Sequence, residues 1–117
     1  IKSGEPVNIF GTGEEVRDYL DADELAELII KVAAFHFEFE LWNVGSGEGT
    51  STASIIAKIE NVVGIKVEKK YLPRRKVDPV SAVLNCRKLQ TLLGWKTHYS
   101  IDQILEKTIS QKMESTR

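Results

Sequence analysis

"VRDYLDADELAELI", residues 16 to 29, decides how this chain is read. Residues 16 to 20 predict a short strand. Asp21 then stands where an N-cap belongs, and Glu24, three residues on, fits its capping-box partner. Leu25, Leu28, Ile29 and Val32 recur at helical spacing, which predicts a helix over residues 22 to 34. Asp21, Asp23 and Glu24 gather in the first turn of that helix, where the macrodipole stabilises negative charge, so capping accounts for them better than catalysis. Arg17 is different: it sets a rigid, permanently charged fork at the mouth of the helix, a group suited to an anion.

Working outward, "EPVNIF" (5–10) predicts a strand, closed by "GTG". After the helix, "FHFEFELWNVG" (35–45) changes to period two, with Phe35, Phe37, Phe39 and Leu41 on one side and His36, Glu38 and Glu40 on the other, which predicts a half-buried strand. "GSGEGTS" (45–51) breaks it. Thr50 or Ser51 caps a helix carrying Ile55, Ile56, Ile59 and Val62 inward and ending near Gly64. "IKVEKKYL" (65–72) alternates again, and "VSAVL" (80–84) reads as a short extended piece. Asn85 caps a helix with Leu89, Leu92 and Leu93 inward; Gly94 follows it, and Trp95 folds back. Ser100 and Gln103 form a second capping box, and Tyr99 can staple onto Ile104 ahead of a helix carrying Leu105, Thr108 and Ile109. The tail from Gln111 is expected to fray. The sum is a small mixed α/β domain with short strands and about four helices.

At 117 residues the chain suits one domain with a modest core. Sixteen Lys plus Arg against seventeen Asp plus Glu leave a formal charge of -1, so no global field recruits nucleic acid or an anionic membrane and any anion site must be local. The lone Cys86 cannot form an internal disulfide, and no run approaches the roughly 18 apolar residues of a spanning helix. A reducing, cytoplasmic setting is expected. The first residue, Ile1, suggests a fragment or a processed chain.

Gly45, Gly47 and Gly49 give G-x-G-x-G rather than the G-x-G-x-x-G of a dinucleotide loop, so a tight strand-to-helix turn is the better account. "KKYLPRRK" (69–76) packs five cations into eight residues, but flanking Glu68 and Asp78 favour a solvated face or a small phosphate site over a duplex track. His36 and His98 lack further ligands at metal spacing, and Cys86 has no evident partner base. Arg17 and Arg75 remain. Each alone reads as a surface residue; together they could hold a diphosphate.

"NIFGTGEEVRDYLDADELAELI", "WNVGSGEGTS", "YLPRRKVD" and "LLGWK" occur in the order and at the spacing of the C-terminal half of NAD-dependent sugar-nucleotide epimerases and dehydratases, and the chain resembles that extended short-chain dehydrogenase/reductase family over nearly its whole length. The resemblance implies that residues 1 to 117 form most of a substrate-binding region lacking the Rossmann half. It implies that Arg17 and Arg75 grip the substrate diphosphate, that Tyr19 lines the nucleotide, that Asp78 receives the ribose hydroxyls, and that Glu48 lies where backbone approaches the base. The expected partners are a UDP-, dTDP- or GDP-sugar, the missing Rossmann half and a homodimer mate, with no nucleic acid and no membrane. No cofactor is expected on this chain itself. G-x-x-G-x-x-G is absent and none of Tyr19, Tyr71 and Tyr99 has a lysine four residues on, so the chain alone is expected to be inactive; the resemblance implies NAD in the complete protein. The chain departs from the family at Asp21 and Ala22, where an aromatic or His and then Val are usual, at Val77 for glycine, and at Thr97 for proline. The alternative expectation is a stand-alone, non-catalytic module binding nucleotide or protein.

Overall fold

A computed structural model describes residues 4–36 and 39–114. Nine elements follow in order: β1 (Val7–Phe10), β2 (Val16–Asp18), α1 (Ala22–Ala33), β3 (Gly49–Ser51), α2 (Thr52–Val63), β4 (Lys69–Leu72), β5 (Ser81–Ala82), α3 (Arg87–Leu93) and α4 (Ile101–Glu114). The mixed α/β class and the four helices are as expected. The strands form two small sheets. β1 and β4 pair in parallel, while β2 lies between β3, its antiparallel neighbour, and β5, its parallel one.

Local signals set most helix ends. Asp21 Oδ1 accepts from the amides of Asp23 and Glu24 at 3.0 and 3.2 Å, and Ser51 Oγ accepts from Ser54 at 3.2 Å. Ser100 and Gln103 exchange the reciprocal bonds of a capping box, at 2.9 and 3.4 Å. Gly64 and Gly94 end α2 and α3 with φ of 69° and 62°, a region that costs glycine no Cβ clash. Asn85 Oδ1 accepts from Arg87 at 3.1 Å, one residue ahead of the N-cap position, which belongs to Cys86.

Among the described residues a core cluster joins Leu28, Leu89 and Trp95, with Leu20, Val32, Trp42, Val44 and Leu93 packed round it, and Ile9, Ile56 and Cys86 are buried outside that cluster. Leu89 is wholly buried and Trp95 folds back as expected. The helices carry more apolar surface than this core uses. Val62 on α2 and Leu92 on α3, both expected inward, are exposed, as are Leu25 and Ile29 of the helical repeat on α1. The shape explains this. The chain measures 49 × 39 × 18 Å with a radius of gyration of 16.9 Å, whereas a compact chain of this length has roughly 13 Å, so the body is a slab too thin to bury every stripe.

Several expectations are corrected. Residues 35, 36 and 39–41 are not strand, and Phe35, Phe39 and Leu41 are 52%, 84% and 74% exposed; Phe37 and Glu38 lie outside the described residues. Without a neighbouring strand to pair with, the alternation has no face to bury. Strand β3, read as part of a turn, forms because β2 supplies its antiparallel partner. α4 continues through Gln111 to Glu114 rather than fraying there.

The strand expected from residue 65 starts only at Lys69, and buried Glu60 supplies the reason. Its carboxylate takes the Val67 amide and the Lys66 ammonium at 3.0 Å each, with Lys69 at 3.1 Å, and so holds residues 66 and 67 to α2. Those bonds, the Val67 amide first, pull its pKa down from 4.5 to about 2. A carboxyl lowered on folding adds stability above its unfolded pKa and gives it up as pH falls toward the folded value. Thermal midpoints measured from pH 5 to 2.5 should therefore fall less steeply in Glu60→Gln than in the parent; equal slopes would remove Glu60 from this role.

Candidate nucleotide-sugar site

The three-stranded sheet fixes which residues share a face. Thr50, Arg17 and Ala82 are register partners across β3, β2 and β5, so their side chains rise on one side, and Tyr19, two residues past Arg17, follows them. Arg17 Nη1 donates to the Val16 carbonyl at 2.7 Å, and among the described residues no carboxylate pairs with it. Tyr19, Ser46, Glu48 and Thr50 line one side of a cleft of about 220 Å³, with residues 97 to 101 opposite.

Asp18, between Arg17 and Tyr19, points to the other face and was not singled out by the sequence reading. Its Oδ1 accepts from the Ser46 amide at 2.7 Å and from the Ser46 hydroxyl. Its Oδ2 accepts from the amides of Gly47 at 3.0 Å and Leu84 at 3.2 Å. Burial opposes the charge, but these donors outweigh it and hold the carboxyl below the usual aspartate range. The glycines of the turn serve this arrangement. A Cβ on Gly45 would meet Asp18 Oδ2 at 2.6 Å, and Gly47 turns at φ +77°. The period-two alternation that placed Arg17 and Tyr19 on one side was the available signal that Asp18 faces the other.

Arg75 and Asp78 come together in the turn after β4. Arg75 Nε and Nη2 donate to the two Asp78 oxygens at 2.7 and 3.2 Å, and the guanidinium lies 4.9 Å from the centre of the Phe10 ring. That turn leads directly into β5, and the Val80 carbonyl accepts from the Val16 amide at 2.9 Å, so Arg75 and Arg17 belong to neighbouring chain segments. Of the other cations in "KKYLPRRK", Lys69 pairs with Glu60 and Arg74 donates to the Asp78 carbonyl at 3.4 Å. Lys69, Arg74 and Arg75 thus serve local acids and carbonyls.

Glu24, expected in a capping box, is corrected. It is 4% exposed, and its Oε1 accepts the His98 amide and lies 3.0 Å from His98 Nδ1. Cys86 is buried, with its thiol against the Gly45 carbonyl at 3.5 Å. Burial pushes its pKa up, away from the reactive thiolate. Among the described residues no group of three or more His, Cys, Asp or Glu could hold a metal ion, and no helix is long and apolar enough to cross a membrane.

With Arg17 and Tyr19 on one sheet face, a cleft beside them and a forked arginine–aspartate turn feeding the same sheet, the molecule has the form of the C-terminal part of a nucleotide-sugar epimerase. A model of the NAD dependent epimerase/dehydratase family matches residues 1–45. The bifunctional UDP-glucose 4-epimerase and UDP-xylose 4-epimerase 3 of Arabidopsis thaliana is 32% identical over 111 residues, covering 84% of this chain and 31% of the relative. The structure of UDP-glucose 4-epimerase with UDP-glucose from Thermotoga maritima superposes with a TM-score of 0.89 at 30% identity, over 98% of this chain and 37% of that one. UDP-glucose 4-epimerase from Bifidobacterium longum, in complex with NAD+ and UDP, gives 0.83 at 26% identity, over 96% and 36%. Sequence and fold together place the chain in the NAD-dependent epimerase/dehydratase family, as the counterpart of the C-terminal part of such proteins. It spans about a third of the length of the relatives it matches.

Proposed function

We propose that this chain is the nucleotide-sugar-binding part of an NAD-dependent epimerase or dehydratase. The observation that supports the reading is the cleft lined by Tyr19, Glu48 and Thr50, with Arg17 the register partner of Thr50 on the same sheet face and the Arg75–Asp78 turn leading into β5 of that sheet. Arg17 and Arg75 hold the diphosphate through charge-assisted hydrogen bonds. Asp78 receives the ribose hydroxyls; each of its oxygens retains a lone pair while bound to Arg75. Tyr19 and Glu48 flank the nucleoside. NAD supplies hydride acceptance and return in the complete protein. The glycine turn of this chain does not suit that group, since the amides of Ser46 and Gly47 are already taken by Asp18. These residues bind and orient the sugar, on which near-attack geometry depends.

Calorimetry tests this. The chain alone should bind a UDP-sugar weakly at best, and the complete protein should bind it well; equal, negligible binding by both would overturn the proposal.

A second reading, a non-catalytic module that binds a partner protein, is favoured by the apolar surface left bare. Ile59, Val62, Val63 and Ile65 with Ile109 and Met113 line a groove of about 540 Å³ between α2 and α4, and Ile29 and Ile30 are exposed on α1. Such surface drives association. Size-exclusion chromatography with light scattering should show the chain self-associating as concentration rises. A strict monomer without accessible apolar surface would count against the picture of a severed half.

A further inference from the structure

We infer that Glu24 is a positioning residue for the cleft: its carboxylate, on α1, sets the place of the wall formed by residues 97 to 100. The inference rests on the nucleotide-sugar reading of that cleft.

The wall comes from the seven residues between α3 and α4, which have no regular structure of their own. Each end has an anchor. Trp95 is seated on Leu28 and Leu89, and Ser100 is closed onto Gln103. Between them the chain crosses the mouth of the cleft, where Thr97, His98 and Tyr99 face Tyr19 and Glu48. A loop held only at its ends samples many conformations, and ordering it carries an entropic cost for every residue.

Glu24 removes that freedom at the midpoint. Its Oε1 accepts the His98 backbone amide and contacts the ring Nδ1, so one oxygen fixes both the backbone and the side chain of the central wall residue. The carboxylate sits at the edge of the core beside Leu28 and Trp95, where a hydrogen bond is electrostatically stronger than in water. Among the described residues its second oxygen is buried without a hydrogen-bond partner, which carries a desolvation cost.

A second grip comes from the same helical turn. Lys107 on α4 binds Asp21 at 3.0 Å and Asp23 at 2.7 Å, and its ammonium lies 5.2 Å from the centre of the Tyr99 ring. The three acids that open α1 therefore hold the wall on both flanks. Removing Glu24 should free residues 97 to 99 and leave the core standing, because Leu28, Leu89 and Trp95 do not depend on its carboxylate.

The test uses the full chain, with backbone amide exchange and a titration by UDP-glucose, both followed by NMR. Glu24→Ala should speed exchange at His98 and Tyr99 by about tenfold or more and weaken the affinity about five- to twenty-fold. Glu24→Gln keeps the Oε1 acceptor and should restore both to within about threefold of the parent. Should the alanine variant fail to fold, Glu24→Asp, which withdraws the acceptor by one methylene, takes its place with the same expected losses. Unchanged exchange at His98 and Tyr99, or equal loss of affinity in Glu24→Gln, overturns the inference. Where the parent chain binds UDP-glucose too weakly to titrate, exchange at His98 and Tyr99 decides alone whether Glu24 sets the segment, and the nucleotide-sugar reading falls only if the complete protein fails to bind UDP-glucose as well.

Discussion

Replacing Arg75 by alanine in the complete protein is expected to raise KM for the nucleotide sugar by about 10- to 150-fold, the equivalent of one hydrogen bond to a charged group at 1.5–3 kcal/mol. The side chain is 60% exposed and its fork is held by Asp78 and the Phe10 ring, so a diphosphate meets a guanidinium already aimed. Preorganisation makes the loss larger than that of a free surface arginine, whose rotamers would need ordering on binding. Thermal stability should hardly change, since an exposed ion pair contributes little. Arg75→Lys should recover only part of the affinity, because an ammonium cannot reproduce two parallel N–H donors. Steady-state kinetics with UDP-glucose decide the matter, and an unchanged KM would remove Arg75 from the site.

The second large effect is structural. Asp18→Ala should destabilise the chain by about 2–3 kcal/mol, because it strips acceptors from the amides of Ser46, Gly47 and Leu84 at once. That corresponds to a fall in thermal midpoint on the order of 10 °C. The damage should be directional as well. Ser46 and Glu48 lie on the cleft, and the turn that carries them is tied to β2 through Asp18, so nucleotide-sugar affinity should fall along with stability. Asp18→Asn keeps one carbonyl oxygen in place of two acceptors and should give an intermediate loss. Denaturant melts of the three proteins check this, and a destabilisation under about 0.5 kcal/mol, the range of an ordinary surface substitution, would show that the turn stands without Asp18.

What could be read in advance follows from how far each interaction reaches along the chain. The caps at Asp21, Ser51 and Ser100 bond to residues two or three positions away, and their spacing alone identifies them. The glycines that end α2 and α3 are equally local. Glu24 was misplaced because its partner, His98, lies 74 residues on, beyond any spacing rule. Asp18 went unnoticed for the same reason: it joins residues 28 and 66 positions away. The alternation in "FHFEFEL" is a strand pattern, yet the described residues of that stretch form no strand, because a strand needs a neighbour to pair with as well as a period.

By itself, the sequence determined the helices and their ends, the Trp95 return, the family resemblance and the candidate residues Arg17, Tyr19, Glu48, Arg75 and Asp78, all of which rest on local chemistry or on motifs in order. Only the tertiary structure decided which of these meet. It set Tyr19 beside Glu48 on one cleft and closed Arg75 onto Asp78. It also brought two acids to distant partners: Asp18 of β2 to the amides of Ser46, Gly47 and Leu84, and Glu24, expected to cap α1, to His98. The reason is physical: a carboxylate accepts from whichever donors the packed chain brings within about 3 Å, and packing, not spacing, brings them there.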